Sequence, residues 1–243
     1  MGEPRLLIMG GCNGAGKTTL ARELLPMLGI ARFLNADEIA RGLSPLDISL
    51  ANVSAGRLLL AEVASLIQTG KEFAMESTLS GRAQVRLIQR AKESGYRFVL
   101  HYVLLDSAKQ SSERVKLRTS LGGHDVPEAD LARRFDRSVA NFCENYLPLA
   151  DDWVVWENSN PPARQIASDQ THSKEQIIAM LKGTHLQETP DANQSEQVRL
   201  GLEASRRATA KMLDYYRRMG VKVTPQMTLA DPDEVLDVPR GVL

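Results

Sequence analysis

One segment constrains this chain more than any other: Gly11-Cys12-Asn13-Gly14-Ala15-Gly16-Lys17-Thr18. Its pattern, G-x-x-x-x-G-K-T, is that of a phosphate-binding loop. In such a loop, successive backbone N–H groups of a glycine-rich turn converge on phosphate oxygens, and a helix N-terminus stands behind them. Large side chains would block that approach. Lys17 is then placed to reach β- and γ-phosphates, and the Thr18 hydroxyl to ligate magnesium. The candidate nucleotide-binding residues are therefore Gly11, Asn13, Gly14, Ala15, Gly16, Lys17, Thr18 and Thr19, with ATP and magnesium as the implied cofactors.

The flanking sequence has the form such a loop needs. Residues 5–9 make a short apolar run into the glycines, and residues 17–28 carry apolar side chains at helical spacing, with Gly29 as a stop. Further strands are expected at Phe33-Leu34 and over residues 73–75, 98–105 and 153–156. Helices are expected over residues 50–68, 82–91, 107–119 and 127–146. Strands that alternate with helices need crossover connections, so the fold class is α/β: a parallel sheet of five strands with helices on both faces. Asn158-Ser159-Asn160-Pro161-Pro162 reads as a loop. Beyond it the pattern changes, with a short helix over 173–181 opened by a Ser-x-x-Gln capping box, a polar stretch over 187–194 and a long helix over 196–219. The expected division is a domain over 1–169 and a helical extension with a tail over 170–243.

A chain of 243 residues can bury one good-sized core. Thirty Lys and Arg balance thirty Asp and Glu, so no overall field draws it to nucleic acid or anionic lipid. Cys12 and Cys143 cannot staple a fold of this size, and no Cys/His spacing suggests zinc. No apolar run reaches the roughly 18 residues that span a bilayer, and the N-terminus has no signal-peptide pattern. The expected location is the cytoplasm, without a membrane or nucleic-acid partner.

Two carboxylates fall where strands are expected to end, the edge at which open α/β sheets bind ligands. Asp37 follows the second strand. It either caps a helix beginning at Glu38 or serves as a general base that positions an attacking hydroxyl and takes its proton. Glu76 follows the third strand and could orient a magnesium-bound water or accept bonds from a substrate, with Thr78 as a neighbouring donor. Farther on, Arg114, Lys116, Arg118, Arg133, Arg134 and Arg137 bring six positive charges around Gly122-Gly123-His124. Such a run is either a solvated helix face, with partners such as Asp130 and Arg134, or a cluster that meets phosphoryl charge when a lid closes. Arg118 and Arg134 are the first candidates for the second role, and Arg114 follows. The loop over 158–164 is a weak candidate for contact with the adenine base.

With the phosphate loop go Phe33-Leu34-Asn35-Ala36-Asp37-Glu38-Ile39-Ala40, Met75-Glu76-Ser77-Thr78-Leu79-Ser80-Gly81-Arg82 and Gly122-Gly123-His124-Asp125-Val126-Pro127. Together, in this order, they resemble the zeta-toxin family of P-loop kinases, particularly its standalone bacterial branch, from about residue 5 to 167. The resemblance implies a kinase-type sheet, a mobile lid over about 114–137, and ATP-dependent phosphorylation of a UDP-N-acetyl sugar such as UDP-N-acetylglucosamine. It implies Asp37 as the catalytic aspartate beside Lys17, Arg118 and Arg134, with Glu76, Thr78, Arg82 and Arg114 toward the substrate. It also implies toxicity through starved cell-wall synthesis and an antitoxin protein as partner. A kinase for another small metabolite and an ATP-dependent switch remain as alternatives.

Overall fold

The computed structural model describes residues 2–120 and 127–184. Five strands run parallel: β1 (Arg5–Gly10), β2 (Phe33–Leu34), β3 (Phe73–Ser77), β4 (Arg97–Leu104) and β5 (Asp152–Glu157). A sixth, β6 (Arg164–Ser168), turns back antiparallel on β5, with an irregularity between Val155 and Trp156. The order is β2-β3-β1-β4-β5-β6. The expected five-stranded sheet thus gains an edge strand. Its sequence Arg-Gln-Ile-Ala-Ser has no run of β-branched or aromatic residues, and pairing supplies what propensity does not. Arg164 Nε donates to Glu157 Oε2 across the pair at 2.8 Å.

The crossover after β1 leads to β2 on one side and that after β4 to β5 on the other, so these neighbouring strands flank the position, at their C-terminal ends, where open α/β sheets bind ligands. The phosphate loop begins there. Seven α-helices cover the sheet among the described residues: α1 (Lys17–Met27), α2 (Ala36–Leu43), α3 (Asn52–Gln68), α4 (Ala83–Glu93), α5 (Ala108–Ser120), α6 (Glu128–Asn141) and α7 (Lys174–Thr184). Central strands are buried on both faces, as parallel strands must be when helices lie on either side. Leu6, Ile8, Phe73, Met75, Phe98 and Leu100 pack against α3, α4 and α7. Leu7, Met9, Val99 and Val103 face α1 on the other side. His101 shares that second face and is fully buried. Trp156 Nε1 donates to its Nδ1 at 3.1 Å, and burial pushes its imidazole down to about 3.

Side-chain caps open α2, α5 and α7. Ser107 Oγ accepts from Gln110 N at 3.2 Å, as expected of a cap. The capping box at Ser173 is reciprocal: Gln176 N donates to Ser173 Oγ, and Ser173 N to Gln176 Oε1. Two readings change. α2 begins at Ala36, not Glu38, and Asn35 caps it, so Asp37 is a first-turn residue rather than a cap. The helix expected over 127–146 is α6 followed by a π-helical turn at Phe142–Tyr146 and a 3-10 turn at Leu147–Leu149.

The expectation that no segment is long and apolar enough to cross a bilayer is also corrected. The helical stretch Ile48–Gln68, 21 residues with mean hydropathy 1.4, passes that test by length and composition. In this fold its Ala55, Leu59, Val63 and Leu66 are buried in the domain, while Leu50, Val53, Leu58 and Leu60 are exposed. Of the expected lid, α5 and α6 are described. Gly122-Gly123-His124, Asp125 and Val126 lie outside the described residues, as does the helix expected over 196–219. α7 belongs to the domain body, with Ile177 and Leu181 buried in its core.

Candidate active site

The phosphate loop joins β1 to α1 in a form its glycines dictate. Gly11 has φ +141° and Gly16 φ +89°, which L side chains rarely adopt. A Cβ on Gly11 would stand 2.4 Å from the Val103 carbonyl oxygen, and one on Gly16 2.4 Å from Asn158 Nδ2. That Asn158 amide is itself buried and donates to the Ala15 carbonyl at 2.7 Å. Ser111 Oγ, from α5, donates to the Asn13 carbonyl at 2.7 Å. The loop is thus clamped from β5 and from α5, by residues that no motif in the sequence marks.

Lys17 is 5% exposed and folds back into the loop, its Nζ donating to the Cys12 carbonyl at 2.8 Å and standing 3.5 Å from Glu76 Oε1. Cys12 is buried beside it. Burial pushes the thiol up, against the pull of the Lys17 charge and a Ser111 hydrogen bond. Glu76 is the hub of the site. Its Oε2 accepts from Thr18 Oγ1 at 2.7 Å and from Asn35 Nδ2 at 2.8 Å. Asn35 in turn accepts from the backbone N–H of Asp37 at 2.9 Å and of Glu38 at 3.3 Å. The Asp37 carboxylate is exposed, with no hydrogen bond or ion pair among the described residues.

Beyond Glu76 the chain makes a tight turn. Leu79 is fully buried at φ +53°, an unusual conformation for a bulky residue, so the surrounding structure imposes it. Asn141 Nδ2 donates to the Leu79 carbonyl at 2.8 Å, and Tyr146 OH to the Gly81 carbonyl at 2.6 Å. Burial pushes the Tyr146 phenol up to about 12, so it remains a donor. The end of α6 and the π-helical turn that follows thereby fix the turn that carries Thr78, whose hydroxyl lies 2.9 Å from Ser80 Oγ.

The cationic candidates separate. Arg114 lies beside the loop, near Gly14, with Nη2 donating to the Ser159 carbonyl at 2.8 Å. Arg118 is exposed on α5 and Arg134 is half-buried on α6. Neither has a partner among the described residues. Asp130 pairs with Arg133, not with Arg134. Lys116 and Glu128 tie α5 to α6 at 3.0 Å. Arg82 and Thr19 are exposed.

A nucleotide fits this arrangement. α1 has no capping side chain and no acidic residue in its first turn, in contrast to α2. Its first N–H groups thus have no side-chain partner of their own, and they face the same loop as the Lys17 ammonium. Among the described residues there is no group of three His, Cys, Asp or Glu side chains that could hold a metal. A magnesium ion that takes one protein hydroxyl, phosphate oxygens and water needs no such group. Thr18 would hold it, with Glu76 fixing the direction of the Thr18 hydroxyl.

Comparison with known proteins agrees with this geometry. The AAA domain family matches residues 6–139, from β1 to the end of α6. The chain belongs to the AAA domain family. A protein of Haemophilus influenzae whose function is uncharacterised is 32% identical over 125 residues, 51% of this chain and 88% of that one. The PezAT toxin–antitoxin system of Streptococcus pneumoniae superposes with a TM-score of 0.60 at 16% identity, covering 84% of this chain and 86% of that chain. A candidate kinase from Chloroflexus aurantiacus gives 0.52 at 20% identity, covering 76% and 97%. The AAA domain described here therefore has a P-loop kinase-like fold, and such a fold implies a nucleotide at the loop.

Proposed function

We propose that this AAA domain is an ATP- and magnesium-dependent kinase that transfers the γ-phosphate to a hydroxyl of a UDP-N-acetyl sugar, such as UDP-N-acetylglucosamine. One observation carries the reading. The Glu76 carboxylate gathers Thr18 and Lys17 from the phosphate loop and Asn35 from the start of α2, while the Asp37 carboxylate beside them has no partner among the described residues. A switch or a hydrolase needs a positioned water. A transferase needs a free base at the edge of a phosphate site, with room for an alcohol.

In this reading Lys17 and the α1 N-terminus hold the β- and γ-phosphates, and Thr18 takes the magnesium. Asp37 orients the acceptor hydroxyl and receives its proton. Glu76, Thr78 and Arg82 line the acceptor side. Arg114, bound to the Ser159 carbonyl beside Gly14, belongs with the nucleotide. Arg118 and Arg134 meet the transferred phosphoryl when α5 and α6 close as a lid. The kinase domain spans 1–169, α7 packs onto its core, and the rest of 170–243 is an extension to it. The cytoplasm suits both the reduced Cys12 and Cys143 and the supply of ATP. The likeness to a toxin–antitoxin system motivates an antitoxin protein as partner.

The test is ADP release from ATP and magnesium with UDP-N-acetylglucosamine, with other sugar nucleotides, and with a panel of sugars and small alcohols. Release that depends on a UDP-N-acetyl sugar supports the reading. Release with a different alcohol alone keeps the kinase and replaces its acceptor. Tight ATP binding with no acceptor-dependent release from any of them overturns it in favour of a switch.

A further inference from the structure

Asn35 does two jobs with one amide. Its oxygen caps α2 through the N–H groups of Asp37 and Glu38, and its nitrogen donates to Glu76 Oε2. The orientation of the amide is fixed by these partners: two donors face the oxygen, and a carboxylate faces the nitrogen. Asn35 is 8% exposed, so water competes little for either side. We infer that Asn35 is a positioning residue, which locks the Asp37 end of the site to the Glu76–Thr18 end, so that base and phosphate site keep one fixed geometry. The inference rests on the kinase reading for its purpose, though not for its contacts.

The residue type supports this. Asp, Ser and Asn cap helices about equally well. Capping alone would accept any of them, and next to the phosphate-binding loop a neutral cap has no intrinsic advantage for α2. The contact with Glu76 is more demanding. It needs a donor on the same planar group that already presents an acceptor to α2. An Asp would turn a second carboxylate oxygen toward Glu76 Oε2, and a Ser would leave that oxygen one donor short. Of the good caps only Asn satisfies both ends.

Asn35→Asp and Asn35→Ser test it, because both keep the cap. With either, kcat for the acceptor reaction is expected to fall about 10- to 100-fold, the usual cost of losing a partner that orients a site residue. Thermal unfolding at neutral pH gives a readout independent of activity. Asn35→Asp sets a second carboxylate against Glu76, so it should unfold at a lower temperature than Asn35→Ser. In a Glu76→Gln background, whose amide can donate to the introduced carboxylate, this difference should vanish. A residue that only caps α2 predicts the opposite order, because an ionised Asp at a helix N-terminus is favourable. Asn35→Asp that is at least as stable as Asn35→Ser, or either variant at wild-type kcat, overturns the inference. If wild type shows no acceptor-dependent turnover while the unfolding signature holds, the kinase reading is what fails, and the purpose assigned to Asn35 fails with it.

Discussion

Asp37→Asn separates chemistry from structure more cleanly here than such a substitution usually does. The cap of α2 is the Asn35 side chain, so the cap energy of about 0.5–2 kcal/mol is untouched. Asp37 is exposed and has no partner among the described residues, so no ion pair is lost. What remains is the favourable placement of one negative charge in the first turn of a helix, about 0.3–1 kcal/mol, and Glu38 still supplies a second. For a chain of this size that amounts to a fall in Tm of about 4 °C at most. The kinetic effect is of a different order. Loss of a general base costs about 10² to 10⁴ in rate, equivalent to about 3 to 5 kcal/mol of barrier. Acceptor-dependent ADP release at saturating ATP, calorimetric affinity for ATP with magnesium, and thermal unfolding should be measured on the same preparation. Turnover should collapse while affinity and Tm hold. Wild-type turnover in Asp37→Asn would remove Asp37 from the chemistry, and with it the mechanism proposed above.

Lys17→Ala should fail differently, losing ATP affinity and turnover together, since Lys17 serves bound nucleotide and transition state alike; wild-type affinity by calorimetry would contradict its role. Arg118→Ala and Arg134→Ala should leave ATP affinity nearly intact and lower kcat, by up to about 10³ to 10⁵ for an arginine that meets transferred phosphoryl charge. Wild-type kcat in both would make them a solvated face. His101 should make the protein acid-sensitive: its ordinary value of 6.5 falls to about 3 on folding, so the unfolded chain takes the proton first. That stability is fully present above pH 6.5 and is lost as pH falls toward 3, by about 2 kcal/mol between pH 7.5 and 5. Urea unfolding at the two pH values should show a smaller difference for His101→Gln than for wild type, and an equal difference would refute the assignment.

The parallel core was legible because buried strands and amphipathic helices announce themselves by period. Phe98 to Leu104 is apolar almost throughout, and Leu59, Val63 and Leu66 recur along one face. β6 was not legible, since an edge strand paired on one side needs no apolar face, and Arg164 fell within the loop read over 158–164. The phosphate loop could be read residue by residue, because backbone conformation there demands glycine and chemistry demands Lys17 and Thr18. The clamp around it could not. Asn158 and Ser111 are distant in sequence and act through backbone carbonyls, which impose no pattern of residue types, and the same holds for Asn141 at the Leu79 turn. Asn35 stood inside a quoted motif, yet its second contact needs the register of β2 against β3 before it can be seen.

The central position of β1 sets a timetable for synthesis. Leu6 pairs with Phe73 on one side and Phe98 on the other, the latter about 90 residues later in the chain. At about 5–20 residues per second, β1 waits roughly 5 to 20 seconds on the ribosome for its second neighbour. During that wait Leu6, Leu7, Ile8 and Met9 have at most β3 on one side and no neighbour on the other, and Val103, against which Gly11 packs, does not yet exist. A nascent chain therefore carries the complete phosphate loop long before it can hold a phosphate. A fragment halted ahead of Arg97 should be captured by chaperones and ignored by ATP.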